Sequence, residues 1–163
     1  MHLLPGQPEP ADPLRNGDAT AIRHLLMQQA ESIPVAYRGE WFGDHAARLL
    51  TAMAPVLAWM RDHQAIRLTN GVVGYAMQLR AIASLATRRV FLAQAGGAGW
   101  ISELPAREMP ETLVYPLNAY LKELPGYDTT QNFEDQRCDE ARRHHSMVLF
   151  LLLPFCSTGG RPA

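Results

Sequence analysis

The sequence predicts an all-α fold, a compact irregular bundle of about five to six helices behind a flexible N-terminal lead-in. Two observations carry this expectation. Apolar residues recur at three- and four-residue steps, with proline and glycine breaking the runs into helix-sized pieces. The chain has 163 residues, 47% of them hydrophobic, which is enough for one globular domain with a real core.

Residues 1–16 hold Pro5, Pro8, Pro10 and Pro13 without a hydrophobic period, which predicts an extended or disordered lead-in. The helical domain is expected over 17–153 and a disordered tail over 154–163. In "DATAIRHLLMQQAESI" (18–33), Asp18 suits an N-cap, and Ile22, Leu25, Leu26 and Gln29 share a face. Pro34 stops this helix, because the residue before proline is driven out of the helical region. "EWFGDHAARLLTAMAPVLAWMRDH" (40–63) carries the longest stripe: Phe42, Ala46, Leu49, Leu50, Met53, Val56, Leu57 and Met60. Pro55 lies inside it, where a lost backbone donor predicts a kink or a split costing about 3 kcal/mol unless packing offsets it. Arg61 and Asp62 are expected to form a structural turn at its end. Ile66 and Leu68 then read as a short extended piece before a cap at Thr69 or Asn70.

The stretch 70–96 continues helical through Val73, Met77, Leu79, Ile82 and Leu85 to Phe91 and Leu92, with a break expected over 78–81. "GGAGWISELPARE" (96–108) reads as a flexible connector, with Pro105 blocking regular structure. "PETLVYPLNAYLKELPGYD" (110–128) opens a helix on Pro110 and Glu111, carries the stripe Leu113, Leu117, Tyr120, Leu121 and Leu124, and ends in a turn of Pro125, Gly126, Tyr127 and Asp128. A last helix is expected from about residue 135 into the apolar run 146–156. About ten apolar residues broken by Pro154 fall short of the roughly 20 that a membrane span needs.

The chemistry in the sequence is sparse. A net charge of −1 gives no global basic field to gather nucleic acid. Two short basic patches, Arg88–Arg89 before Phe91 and Arg142–Arg143 with His144 and His145, are the candidates for nucleic-acid or partner contact. "AGGAGW" (95–100) lacks the lysine and hydroxyl of a phosphate-binding loop, and neither a nucleophile elbow nor an HExxH helix occurs. The six histidines show no ligand spacing. Catalytic, cofactor and metal residues are therefore expected to be none, with an acid–histidine grouping of Asp44, His45 and Asp62 as the remote enzymatic rival. Cys138 and Cys156 lack a CxxC spacing and read as free thiols; with no secretory signal, a cytoplasmic setting is expected.

The order of these segments resembles the all-helical domain of type IV secretion and conjugation coupling proteins, in the DotL/IcmO and TrbC-like branch. The residues carrying the resemblance are "ATAIRHLLMQQ", "WFGDHAARLLTAMAPVLAWMRDHQAIRLTNGVVGYAMQLRAIASLA" and "LNAYLKELPGYD", over roughly residues 17–145. The resemblance implies a domain inserted in a hexameric ATPase at the cytoplasmic face of the inner membrane. It implies recognition of a relaxase, relaxosome accessory or cargo proteins, with weak DNA contact. The phosphate-binding lysine, the Walker B acids and the membrane helices of that family have no counterpart in the 163 residues, so the chain reads as a truncated or frame-shifted fragment that works without hydrolysing ATP. The alternative is a stand-alone helical adaptor or regulator unrelated to secretion.

Overall fold

The computed structural model describes residues 12–32, 40–64, 66–87, 90–91, 94–95, 99–100, 104–105 and 109–150. Among them the chain is all-helical in class: α1 (Pro13–Asn16), α2 (Ala19–Glu31), α3 (Glu40–Gln64), α4 (Asn70–Ala76), α5 (Leu79–Ala86), α6 (Glu111–Glu123) and α7 (Asp139–Phe150). No helix among the described residues is long and apolar enough to cross a membrane. Most of the lead-in lies outside the described residues, but residues 12–16 form one capped turn. Asp12 accepts from the Leu14 amide at 3.0 Å and Pro13 stands at the helix start, where its missing N–H removes nothing. The tail 154–163 also lies outside the described residues.

The bundle is organised around α3, on which α2, α6 and α7 all pack, while α5 packs on α6. Leu49, Leu50, Met53, Val56, Leu57 and Met60 are fully buried. The helix runs through Pro55 without splitting, because the burial of Met53, Ala54, Val56 and Leu57 around it outweighs one missing backbone bond. Asp18 caps α2 by accepting from the Ala21 amide at 2.8 Å, and Ile22 and Leu26 face α3 with zero exposure.

Arg61 and Asp62 lie inside the last turn of α3, so the turn expected there is helical. Ile66 and Leu68 are buried and Arg67 between them is exposed, as extended alternation demands. Of the two capping candidates it is Thr69 that acts, its Oγ1 accepting from the Val72 amide at 3.2 Å. The break between α4 and α5 falls at Met77 and Gln78.

Beyond α5 the sequence expectation fails. Thr87 ends the helix by turning its hydroxyl back on the Ala83 and Ser84 carbonyls, both at 3.1 Å. Val90 and Phe91 then form a two-residue strand β1, not helix. β1 pairs antiparallel with β4 (Leu104–Pro105), and inside it β2 (Gln94–Ala95) pairs with β3 (Gly99–Trp100). The connector thus holds nested backbone pairings, with Pro105 at a ladder position that its ring allows on an edge.

α6 begins after Pro110, and Leu117, Tyr120, Leu121 and Leu124 form its buried face. Its end is a glycine-dependent turn: the Tyr127 amide donates to the Leu124 carbonyl at 3.1 Å and Gly126 has φ 76°. A Cβ on Gly126 would stand 3.0 Å from the Glu140 Cβ. α7 starts later than expected, because residues 128–136 are held as turns. Gln136 Nε2 donates to the Asp128 carbonyl and its Oε1 accepts from the Asp128 amide, both at 3.0 Å. The helix therefore begins only after Cys138, whose carbonyl accepts from the Arg142 amide at 2.8 Å.

Two substitutions test this packing by urea denaturation. Leu57→Ala, at the centre of α3, is expected to lower stability by about 2–5 kcal/mol. Gly126→Ala is expected to lower it by about 1–2 kcal/mol through left-handed backbone strain, added to by the close approach of its Cβ to Glu140, with helical circular dichroism unchanged in both.

Candidate functional site

A recess among the described residues lies between α3 and α6. Its volume is about 320 Å³, and its walls are Ala47, Thr51 and Ala52 from one helix and Pro116, Ala119 and Tyr120 from the other. Small side chains at 47, 52 and 119 are what leave it open: two helices packed through larger residues would close the space. Arg48 and Glu123 span its mouth as an ion pair, with 58% and 46% of their side chains exposed. Screening by water leaves such a pair little stabilising power, so its charges can be exchanged for a partner's at small cost.

Both helices contain a proline, and each removes one backbone donor. Pro55 lacks the N–H that would bind the Thr51 carbonyl, and Pro116 lacks the one that would bind the Thr112 carbonyl. Two backbone acceptors thus lack their helical partner, one in each helix. The Thr51 side chain is already committed. It donates to the Ala47 carbonyl at 2.8 Å and accepts from Arg23 Nε at 2.8 Å, which ties α2 to the groove wall.

Tyr120 faces the groove with its ring and the interior with its hydroxyl. The hydroxyl meets His145 Nδ1 at 2.8 Å, and His145 Nε2 meets the Met77 carbonyl at 2.7 Å. A carbonyl can only accept, so Nε2 carries the proton, and Nδ1 accepts from the tyrosine. His145 is 2% exposed; burial pushes its pKa down to about 4, against the opposing pull of the Met77 carbonyl. Burial likewise raises the Tyr120 hydroxyl. The chain of three groups joins α6, α7 and the α4–α5 junction behind the groove wall. Asn118 adds a further tie, donating from Nδ2 to the Ala86 carbonyl at 3.2 Å at the end of α5.

The residues singled out from the sequence are dispersed. Arg88 and Arg89 lie outside the described residues. Arg142 and Arg143 are exposed on α7, with the Arg142 guanidinium 5.4 Å from the Phe133 ring centre. His145 does not belong to that basic patch, since it is buried and uncharged at neutral pH. Asp44 and Asp62 stand on one continuous helix, 18 residues apart and thus about 27 Å at about 1.5 Å of rise per residue, so they form no joint acid–base centre. Arg61 and Asp62 pair at 2.8 Å, and the hydrogen bond from Arg61 holds the Asp62 carboxyl below its usual value. Arg61 Nη1 also donates to the Gly17 carbonyl at 2.7 Å, anchoring the α1–α2 junction. Pro125, Gly126, Tyr127 and Asp128 form the α6 terminator, and the hydroxyl and amide of Thr130 lower the Asp128 carboxyl. No group of three or more metal-ligating side chains occurs among the described residues.

Sequence reasoning missed the groove and the Tyr120–His145 link. A signal for the second existed: Ala141, His145 and Val148 share one face at steps of four and three, and the outer two are apolar.

His145 makes stability pH-dependent. Between its unfolded value of 6.5 and about 4 the unfolded chain binds a proton that the folded chain does not, so stability falls as pH falls through that window. The loss is about 3 kcal/mol. Asp62 and Asp128, with lowered values, contribute stability that is present above the ordinary 3.8 and is lost as pH falls below it. Urea titrations at pH 7 and pH 4.5 should show this fall in the native chain and a much smaller one in His145→Leu. Tyr120→Phe, which leaves Nδ1 without its donor, should lower stability at pH 7 by about 1–3 kcal/mol.

No protein-family model matches the chain, and no curated protein matches it.

Proposed function

We propose that this chain is a non-enzymatic helical interaction domain that receives a segment of a partner protein in the α3–α6 groove. The observation that carries the reading is the groove itself: an apolar recess floored by alanines and a proline, with a replaceable Arg48–Glu123 pair at its mouth. Such a surface suits a helical or extended segment that places small apolar side chains inside and opposite charges against Arg48 and Glu123. Tyr115, 78% exposed and one helical turn before Ala119, offers an aromatic anchor beside it. The sequence resemblance supplies the class of partner: a relaxase, a relaxosome accessory protein or a secreted cargo protein of a conjugative or type IV secretion system. A cytoplasmic setting at the inner membrane and weak DNA contact through Arg142 and Arg143 belong to the same proposal.

The test uses purified relaxase and accessory proteins encoded beside this chain. The native chain should retain at least one of them in a pull-down, and Ala119→Trp, which fills the groove from an exposed position, should weaken retention by about tenfold or more while leaving the thermal midpoint unchanged. Retention untouched by Ala119→Trp, or no retention of any of them by the native chain, would refute the reading.

A further inference from the structure

Tyr115, Ala119 and Glu123 follow one another at steps of four along α6, so they lie in one stripe on its outer face, beside the groove. Tyr115 is 78% exposed, more than Met147 or Phe150 on α7, the other large apolar side chains left exposed among the described residues. Its hydroxyl makes no hydrogen bond among the described residues. Ala119 in the middle is exposed and small. Glu123 at the far end carries the exposed pair with Arg48.

This stripe is its own complement. Tyr115 and Glu123 each stand four residues from Ala119, about 6 Å along the axis at about 1.5 Å of rise per residue. A second copy laid antiparallel across Ala119 therefore sets the Tyr115 of each copy over the Glu123 of the other, and symmetry makes the contact twice. There the ring meets the end of the groove that Ala47 and Arg48 complete. The carboxylate can accept from the phenol hydroxyl, and the guanidinium lies within reach of the ring face. Like charges stay apart in this arrangement, because the two copies of Glu123 stand about 12 Å from each other. The single methyl group of Ala119 at the crossing lets the two helices approach closely.

We propose that the α3–α6 groove is covered in solution by a second copy of this chain, in a two-fold pair whose α6 helices cross antiparallel at Ala119 and whose Tyr115 side chains each enter the other copy's groove beside Arg48 and Glu123. The inference rests on the reading of the groove as a docking surface and adds its resting occupant. A partner segment has to displace the second copy, so self-association and partner binding compete for one surface. An interface built mainly on one helix face forms a weak, concentration-dependent pair.

Sedimentation equilibrium of the whole chain, from micromolar to millimolar concentration and without any partner protein, tests this. A monomer–dimer equilibrium is expected, weakened about tenfold or more by Tyr115→Ala and unchanged by Phe150→Ser on α7. Ala119→Cys should join two copies through a disulfide on mild oxidation, because residue 119 sits on the two-fold axis. Thr112→Cys, on the same exposed face, should not, since its two copies would stand about 21 Å apart. The native chain, with Cys138 and Cys156, is the control for both. All of these positions but the two native cysteines are exposed, and circular dichroism confirms that each variant is folded. A monomer at every concentration would overturn the proposal. So would a dimer indifferent to Tyr115→Ala, or a disulfide formed as readily at Thr112→Cys as at Ala119→Cys. A monomeric chain that still retains a relaxase or accessory protein leaves the groove to that partner alone, so the two readings fail separately.

Discussion

Burial of the apolar surface of α3 is the constraint on which the rest of this molecule depends. The helix offers buried side chains to three neighbours, α2, α6 and α7. Each fully buried Leu, Met or Val contributes about 1.5–3 kcal/mol, so the six between Leu49 and Met60 far exceed the roughly 3 kcal/mol that Pro55 removes. A proline in mid-helix is tolerated here because its surroundings leave the chain no better place to put Met53 and Leu57.

Apolar burial is not directional, and directional links set the angles. Arg61 reaches back to the carbonyls of Leu14 and Gly17, Asn118 reaches across to Ala86, and Gln136 clasps both backbone groups of Asp128. His145 joins Tyr120 to Met77 within the core. These bonds connect segments that hydrophobic contact alone would let slide. The groove wall inherits its position from them, since Tyr120 is both a lining residue and the donor to His145.

The helices were legible in the sequence because their signals are local. Asp18, Thr69 and Gly126 act through residues within a few positions of themselves, and the stripe of α3 needs only its own period. The failures have a common physical origin in long-range partners. Gln136 delays α7 by binding a residue eight positions away, and the pairing of Val90 with Pro105 spans a loop that no local pattern specifies. The groove was invisible for the same reason: Ala47 and Ala119 look unremarkable until two helices bring them together. Arg61 was noticed, but as part of a turn of its own, whereas its reach is to a junction 44 residues away.

The groove follows from this architecture. It lies where small residues keep α3 and α6 from closing. If α3 is the common support, its amides between Leu49 and Leu57 should be the last in the chain to exchange with deuterium, at rates set by global unfolding. Native-state hydrogen exchange measures this residue by residue. The account predicts that destabilising the protein with urea speeds these amides in step with complete unfolding. Exchange of α3 through a smaller local opening, with α6 and α7 still protected, would contradict it.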